Sequence, residues 1–473
     1  MPAEWKKVPL VGDPYQNADE TELDAVSAQC QDCYINELGH TVKRPGLTSF
    51  VDTGVTNGID GLYWSEKHAM VIAVVGGRIF KITDLAGTKA ELTGATMSTG
   101  TRVTFAEDGT RIGMANSGAM VHFTPSGTTL TTMADAQAPT TVSHLAEIDG
   151  YWLANDLDTD DIYFSDPTNT LSWAAADLFA ANFKADDVIA MRTGWKEVIA
   201  LGEETVEVFY NDGVTPFARM AGGVVETGGS APHTLQKVTN AWAWLDNKRQ
   251  FVRLTGRTPE PFSKSIDKLV QDYSAVDDAV SDTAVLAGQN FYLVHFPGAN
   301  VTQVYNEQRD GWHQWGNWNT NEAIYNRFRG QSYCYAKAWN KHLFGDRANG
   351  IIYEASSSVY TDNGSPIRSF RRTGFISHGT TNMKRSSELV LRLKRGAGNS
   401  DVTEPQIAVR WRNDGGAWGN EHWVSLGAVG EHQLTARLHN LGEYRMRQYE
   451  VIHSDASAFV LVDAQELVEV LPN

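Results

Sequence analysis

Seven times this sequence repeats one phrase: an apolar run, a tight turn with Gly or Asp-Gly, a second apolar run, then a polar linker. The units open near residues 59, 104, 144, 194, 241, 285 and 332, roughly every 40 to 50 residues. That period is the mark of β-propeller blades, each a small four-stranded sheet. One such sheet cannot bury both of its faces, so stacking around a ring has to make the core. Hairpin turns are expected at Gly76-Gly77, Asp108-Gly109, Ser117-Gly118 and Asp149-Gly150. Trp64, Trp152, Trp195, Trp242, Trp244, Trp315 and Trp339 recur at blade spacing, and inter-blade packing is their default role. Stacking on carbohydrate is the alternative. Two stretches break the pattern. Residues 167–187 are alanine-rich and read as a short helix or loop. Residues 266–280 place Ile266, Leu269, Val270, Tyr273 and Val276 at helical spacing, so a short helix between blades is expected.

A chain of 473 residues is too long for one ordinary core, which fits a repeat array plus a second domain. The formal net charge of −17 repels phosphate and argues against tight nucleic-acid binding by the whole molecule. The start, MPAEWKKVPLVGDP, has no apolar core of a signal peptide, and no apolar run approaches the ~18 residues of a membrane span. Three cysteines, Cys30, Cys33 and Cys334, do not make a disulfide framework. Cys30 and Cys33 have C-x-x-C spacing, but no second pair completes a zinc site and no strand–helix context suits a redox motif. No metal or cofactor is expected.

The flanks differ from the repeat. Residues 1–55 read as an extended N-terminal docking arm, polar and without period from 15 to 54, ending in Lys43-Arg44-Pro45-Gly46. Proline forces extended backbone before it and glycine permits a bend after it, so Arg44 is expected on display. The other reading is a plain lead-in to the first strand. Residues 56–360 form the propeller, of six or seven blades. Residues 361–473 open with a basic run that includes Arg371, Arg372, Lys384, Arg385, Lys394 and Arg395. Period-two alternation follows in IAVRW, YRMRQYEV and AFVLVDA, and the segment reads as a C-terminal antiparallel β-sandwich. The basic run suits either phosphate contact or a subunit seam, and the acidic total favours the seam. The expected class is therefore all-β, and the expected interaction residues are these six with Arg44, Pro45 and Gly46.

No catalytic constellation stands out. Asp156, Asp158, Asp160 and Asp161 lie close together but do not have the spacing of a calcium loop. No His pair, nucleophile elbow, phosphate loop or dinucleotide fingerprint occurs. Asn413-Asp414-Gly415-Gly416-Ala417-Trp418 is similar to the Asp-box hairpin of sialidases, which is itself a structural turn. The chain is not expected to be an enzyme.

The order Asn17-Ala18-Asp19, KRPGL at 43–47, TNGIDGLYW at 56–64, VVGGRIFKI at 74–82 and GWKEVIALGEETVEVFY at 194–210 resembles the packaged-DNA stabilisation proteins. These are the tail hub, or nozzle, proteins of short-tailed bacteriophages. The C-terminal RWRNDGGAW, with Arg437, Leu441, Gly442 and Arg445, is similar to the closing domain of such tail proteins. Cys30 and Cys33 lie outside the family pattern. The resemblance implies a structural virion protein, assembled in the host cytoplasm. It implies a homo-hexameric ring below the head–tail connector, bearing tail spikes, fibres or a needle. Genomic double-stranded DNA would pass through that ring without sequence-specific binding, and no small-molecule substrate is implied. A carbohydrate-binding or glycan-degrading tail propeller is the alternative.

Overall fold

A computed structural model describes residues 2–12, 29–213, 216–431 and 436–472. The local logic of a blade is plain in the first one. Met70–Val75 is buried throughout, and Arg78–Ile82 pairs with it antiparallel, Val75 opposite Arg78. The two-residue turn between them needs positive φ at both positions, and Gly76 and Gly77 supply φ of 55° and 76°. Gly77 is also a close approach, because a Cβ there would lie 2.5 Å from the Met97 carbonyl oxygen. Blade four makes the same turn with Trp195 and Lys196, at φ of 52° and 65°, where side chains are disfavoured.

Among the described residues there are seven four-stranded blades, at 59–92, 104–132, 145–180, 188–225, 236–261, 280–319 and 330–356. Each neighbouring pair shares one apolar cluster. Ile72 and Val74 of blade one meet Ile112 and Met114 of blade two. Trp152 of blade three packs on Ala106 and Ala115 of blade two. Trp242 and Trp244 of blade five fill against Ile199 and Val208 of blade four. Trp315 of blade six meets Phe344 and Tyr353 of blade seven. Val71 and Ala73 of blade one meet Leu343 and Ile352 of blade seven, with Trp64 and Trp339 alongside, and the ring is closed. Trp195 is the exception among the expected packing tryptophans. Its ring is 46% exposed and lies edge-on to Trp242, with the Lys237 ammonium 4.3 Å away.

Closure comes from the N-terminal segment. Gly46–Asp52 pairs antiparallel with Ile351–Ser356 and supplies the outer strand of blade seven. An open blade would carry an unpaired edge, and this strand covers it. Gly46 is fitted to that place, since a Cβ would meet the carbonyl oxygens of Thr361 and Val359 at 2.5 and 2.6 Å.

The rest of the described N-terminal segment builds the sandwich. Glu4–Lys7 and Thr41–Lys43 both pair with the last strand, Val460–Val470, whose other edge takes Lys384–Leu393. Cys33–Ile35 pairs with Thr41–Lys43. Gln29–Gln31 lies between Gly311–Asn319 of blade six and Ser369–Arg372 of the sandwich. One ten-stranded sheet thus runs from blade six into the C-terminal domain. The sandwich core joins Val8, Leu10, Cys30 and Cys33 to Leu389, Ile407, Tyr449 and Leu461. Residues 13–28 of the expected arm lie outside the described residues.

Two local expectations met different outcomes. Asp267–Gln271 is helical and sits between blades five and six, its Val270 buried. Asn169–Ala180 is instead the outer strand of blade three, paired with Asp161–Asp166. Trp173 anchors it in the core shared with blade two, and that pairing overrides the helical preference of alanine.

Candidate interaction surface

Three of the seven cations named from the sequence, Arg44, Arg371 and Lys384, are buried. Arg44 is fully buried, not displayed. Its Nε donates to Asp32 at 2.6 Å, and Nη1 and Nη2 donate to the two oxygens of Asp362 at 2.9 and 2.6 Å. The remaining protons go to the carbonyl oxygens of Pro45 and Gly316, at 3.2 and 2.9 Å. All five donors are used, and the two carboxylates hold the guanidinium in its charged form despite burial. Pro45 and Gly46 are buried beside it. The bend expected after Pro45 carries the chain into blade seven, which is why Arg44 faces inward. This knot ties the N-terminal segment, blade six and the 359–362 link together.

Arg371 is also buried and gathers carbonyl oxygens from Pro9, Leu10, Gly12 and Gln29, at 3.1 to 3.4 Å. Lys384 donates to the carbonyls of Thr380 and Asn382. Arg395 donates to the Ser425 carbonyl. Arg385 and Lys394 are exposed, with Arg385 paired to Glu443 at 2.7 Å. Strand alternation separates Arg371 from Arg372 and Lys384 from Arg385, since neighbours along a strand face opposite ways.

What the fold does gather is a different set. Arg372, Arg410 and Arg412 converge on the ring of Trp418, each guanidinium 5.0 to 5.2 Å from its centre. Arg410 and Arg412 lie two apart on Gln406–Asn413, so they share a face, and Arg372 sits two strands away on that face. Glu450 bridges Arg372 and Arg410, while Arg412 donates to Gln448. Arg368 lies beyond, 4.5 Å over Trp318. Four arginines with one carboxylate make a cationic, aromatic-backed face on an acidic chain. The alternation of Arg410-Trp411-Arg412 signalled two of them, while the contribution of Trp418 depends on the Asp414-Gly415 turn folding back.

The propeller axis is closed. Arg102, ahead of blade two, reaches Asp282 of blade six and donates to Ser332 of blade seven at 2.7 Å. That span crosses the ring. His144 stacks on His233 with centroids 5.0 Å apart. Burial pushes both imidazoles down, His233 to about 3, so both are neutral near pH 7. A cavity of about 420 Å³ lies along the axis, lined from all seven blades. Its carboxylates are engaged: Glu107 accepts from Tyr63 and Ser65, and Glu147 from the Gly150 amide. Cys30, Cys33 and Cys334 are buried and, among the described residues, form no disulfide. Of the four clustered aspartates, Asp156 accepts from Thr141, and burial beside Asp160 and Asp156 raises Asp161. Among the described residues no group of three or more His, Cys, Asp or Glu is placed to hold a metal ion. No described helix is long and apolar enough to cross a membrane.

Comparison with known proteins gives one family. The phage stabilisation model described as "Bacteriophage P22 Gp10, beta-propeller" matches residues 26–360. No curated protein matches the sequence. Among solved structures, the computationally designed Ika8 protein is similar at a TM-score of 0.40 and 10% identity, over 66% of this chain and 100% of that one. YCF48 bound to D1 peptide is similar at a TM-score of 0.39 and 12% identity, over 67% of this chain and 100% of that one.

Proposed function

The chain belongs to the phage stabilisation family of the P22 Gp10 β-propeller, and on that premise we propose that it is a ring-forming tail hub, or nozzle. In this reading six copies sit below the head–tail connector, extend the DNA channel, help retain the packaged genome and anchor spikes, fibres or a needle. The family match carries the reading. The closed axis supports a ring of subunits as the conduit, because Arg102 spans the axis of a single propeller and the cavity there is far too small for a duplex. Closed rotational symmetry requires two different, complementary patches on each copy. The face around Trp418 is the cationic patch; the acidic remainder of the surface supplies its complement and lets DNA slide. Residues 13–28, which carry five acids and no base, are the acidic counterpart in this proposal.

The test is assembly. The chain is mixed with its connector, and light scattering reads the mass of the complex. Six copies are expected, and R410E/R412E should abolish the ring while leaving the monomer folded by circular dichroism. Monomers at every concentration, with and without connector, would overturn the reading. The glycan-degrading alternative would draw on Glu107 and Glu147, the two glutamates that line one cavity. Turnover of host polysaccharide, lost in E107Q or E147Q, would favour it.

A further inference from the structure

The sandwich is completed by a plug from the far end of the chain. Among the described residues Glu4–Lys7 pairs with Val460–Val470 and with no other strand. Behind it Val8 and Leu10 are fully buried in the sandwich core, in one cluster with Leu389, Ile407 and Leu461. The Val8 amide donates to the Ala464 carbonyl at 2.9 Å. Arg371 holds the carbonyls of Pro9, Leu10 and Gly12, and the Thr41 hydroxyl donates to the Leu10 carbonyl at 3.0 Å. The plug thus has a defined socket, built mainly by the C-terminal domain. Its link to the rest of the chain is far longer than that position needs. Arg371 also donates to the Gln29 carbonyl, so Gly12 and Gln29, the two ends of the link, sit on one guanidinium. Residues 13–28 join them and reach about 55 Å when extended. Connections in compact domains are mostly about 4 to 6 residues long. The link carries five acids and no base. It leaves from Gln29, whose side chain accepts from Arg372 of the Trp418 face, so its charge suits a path between two arginine-lined sites.

We propose that, in the ring, residues 2–12 of each copy fill the socket of the next copy instead of their own. The inference rests on the ring reading above and names what holds the copies together. The recipient has the same sequence as the donor, so every contact of the plug is kept and the exchange costs little. Only one strand ladder, against Val460–Val470, has to open and reform. Each copy gives one plug and receives one, which is a directional contact that closes on itself around a ring. In a lone copy the plug sits in its own socket. Assembly brings the neighbour's socket within reach of the link and raises its effective concentration.

The test is covalent capture across that ladder. Trp5 lies directly opposite Leu467, with Trp5 exposed and Leu467 half-buried. The full-length W5C/L467C chain is assembled on the connector and joined with a short bismaleimide, and light scattering reads the mass beforehand. Linked chains in a ladder up to six are expected from the ring, and links within single chains from the free monomer. A mixture of W5C with L467C should give a two-chain product that neither gives alone. K7C/Q465C, the next pair on the same face, serves if the first variant does not fold. Deleting residues 15–26 leaves a link of about 14 Å, enough for the plug's own socket, and should keep the melting temperature while losing the ring. A six-copy ring whose links stay within single chains, or one that forms despite the deletion, overturns this inference and leaves the ring reading standing. Monomers throughout, linked only within themselves, remove both.

Discussion

The propeller and the sandwich are both antiparallel β-structure, yet they are assembled by opposite rules. Six blades are made of strands consecutive in the chain, joined by short turns such as Gly76-Gly77. The sandwich is made from both ends of the molecule, with Glu4–Lys7 lying beside Val460–Val470. Lys43 reaches His453 and the Asp455 carbonyl across more than 400 residues of sequence. The local design spreads its stability over seven similar apolar interfaces. The distant one concentrates it in a few buried polar knots, around Arg44, around Arg371, and around Arg447, whose guanidinium is buried against Glu466 at 3.1 Å and donates to the Leu441 carbonyl. Loop-closure entropy has to be overcome before such long-range contacts form, so the knots are where the molecule is most easily broken.

The largest effect is expected at Arg44. R44M leaves Asp32 and Asp362 buried without their cation and should cost about 3 to 5 kcal/mol in denaturant unfolding. A loss under about 1 kcal/mol would show that the junction does not rest on this knot. Next is the seam where the two rules meet. G46A pushes a methyl into the Thr361 and Val359 carbonyls and should cost about 1 to 3 kcal/mol, with blade seven exchanging its amide protons first. Uniform exchange across all blades would contradict a ring closed by that strand.

Two acids sharpen the contrast through pH. Burial alone would raise Glu466, but His378, Arg447, Ser386 and Tyr449 take it below its ordinary 4.5. Its contribution to stability is therefore complete above about that pH and is lost as pH falls below it. In the propeller, burial raises Asp60 from 3.8 to about 6, against the Gly100 and Gly76 amides. The folded state then holds a proton the unfolded state releases, and a penalty grows as pH rises from 3.8 to about 6. E466Q should lose stability against wild type at pH 7 and recover part of it near pH 3. D60N should gain at pH 7 and lose that gain near pH 3. Denaturation of both variants across this range reads the two signs, and equal slopes would remove the distinction. The smallest effect is at the blade-four turn: K196G relieves a positive φ and should stabilise by about 1 kcal/mol.

The sequence was most legible where the contacts are local. Blade spacing, the turn glycines and the helix at Asp267–Gln271 all follow from residues near one another. The segment around Cys30 was illegible because its strands are three residues long, Gln29–Gln31 and Cys33–Ile35, and too short to show a period. Its partners are also hundreds of residues away. The same limit governed the basic residues. Composition marks the run from 368 to 395 as cationic, but strand alternation and the N-terminal carbonyls decide that Arg371 points inward and Arg372 outward.

Whether this propeller works in a ring on a virion is read from a symmetry-free reconstruction of the phage particle. Six copies are expected around the DNA axis below the connector, each propeller axis closed and the Trp418 face set against the neighbouring copy. A particle without this chain, or one in which the genome runs through the axis of a single propeller, would contradict it.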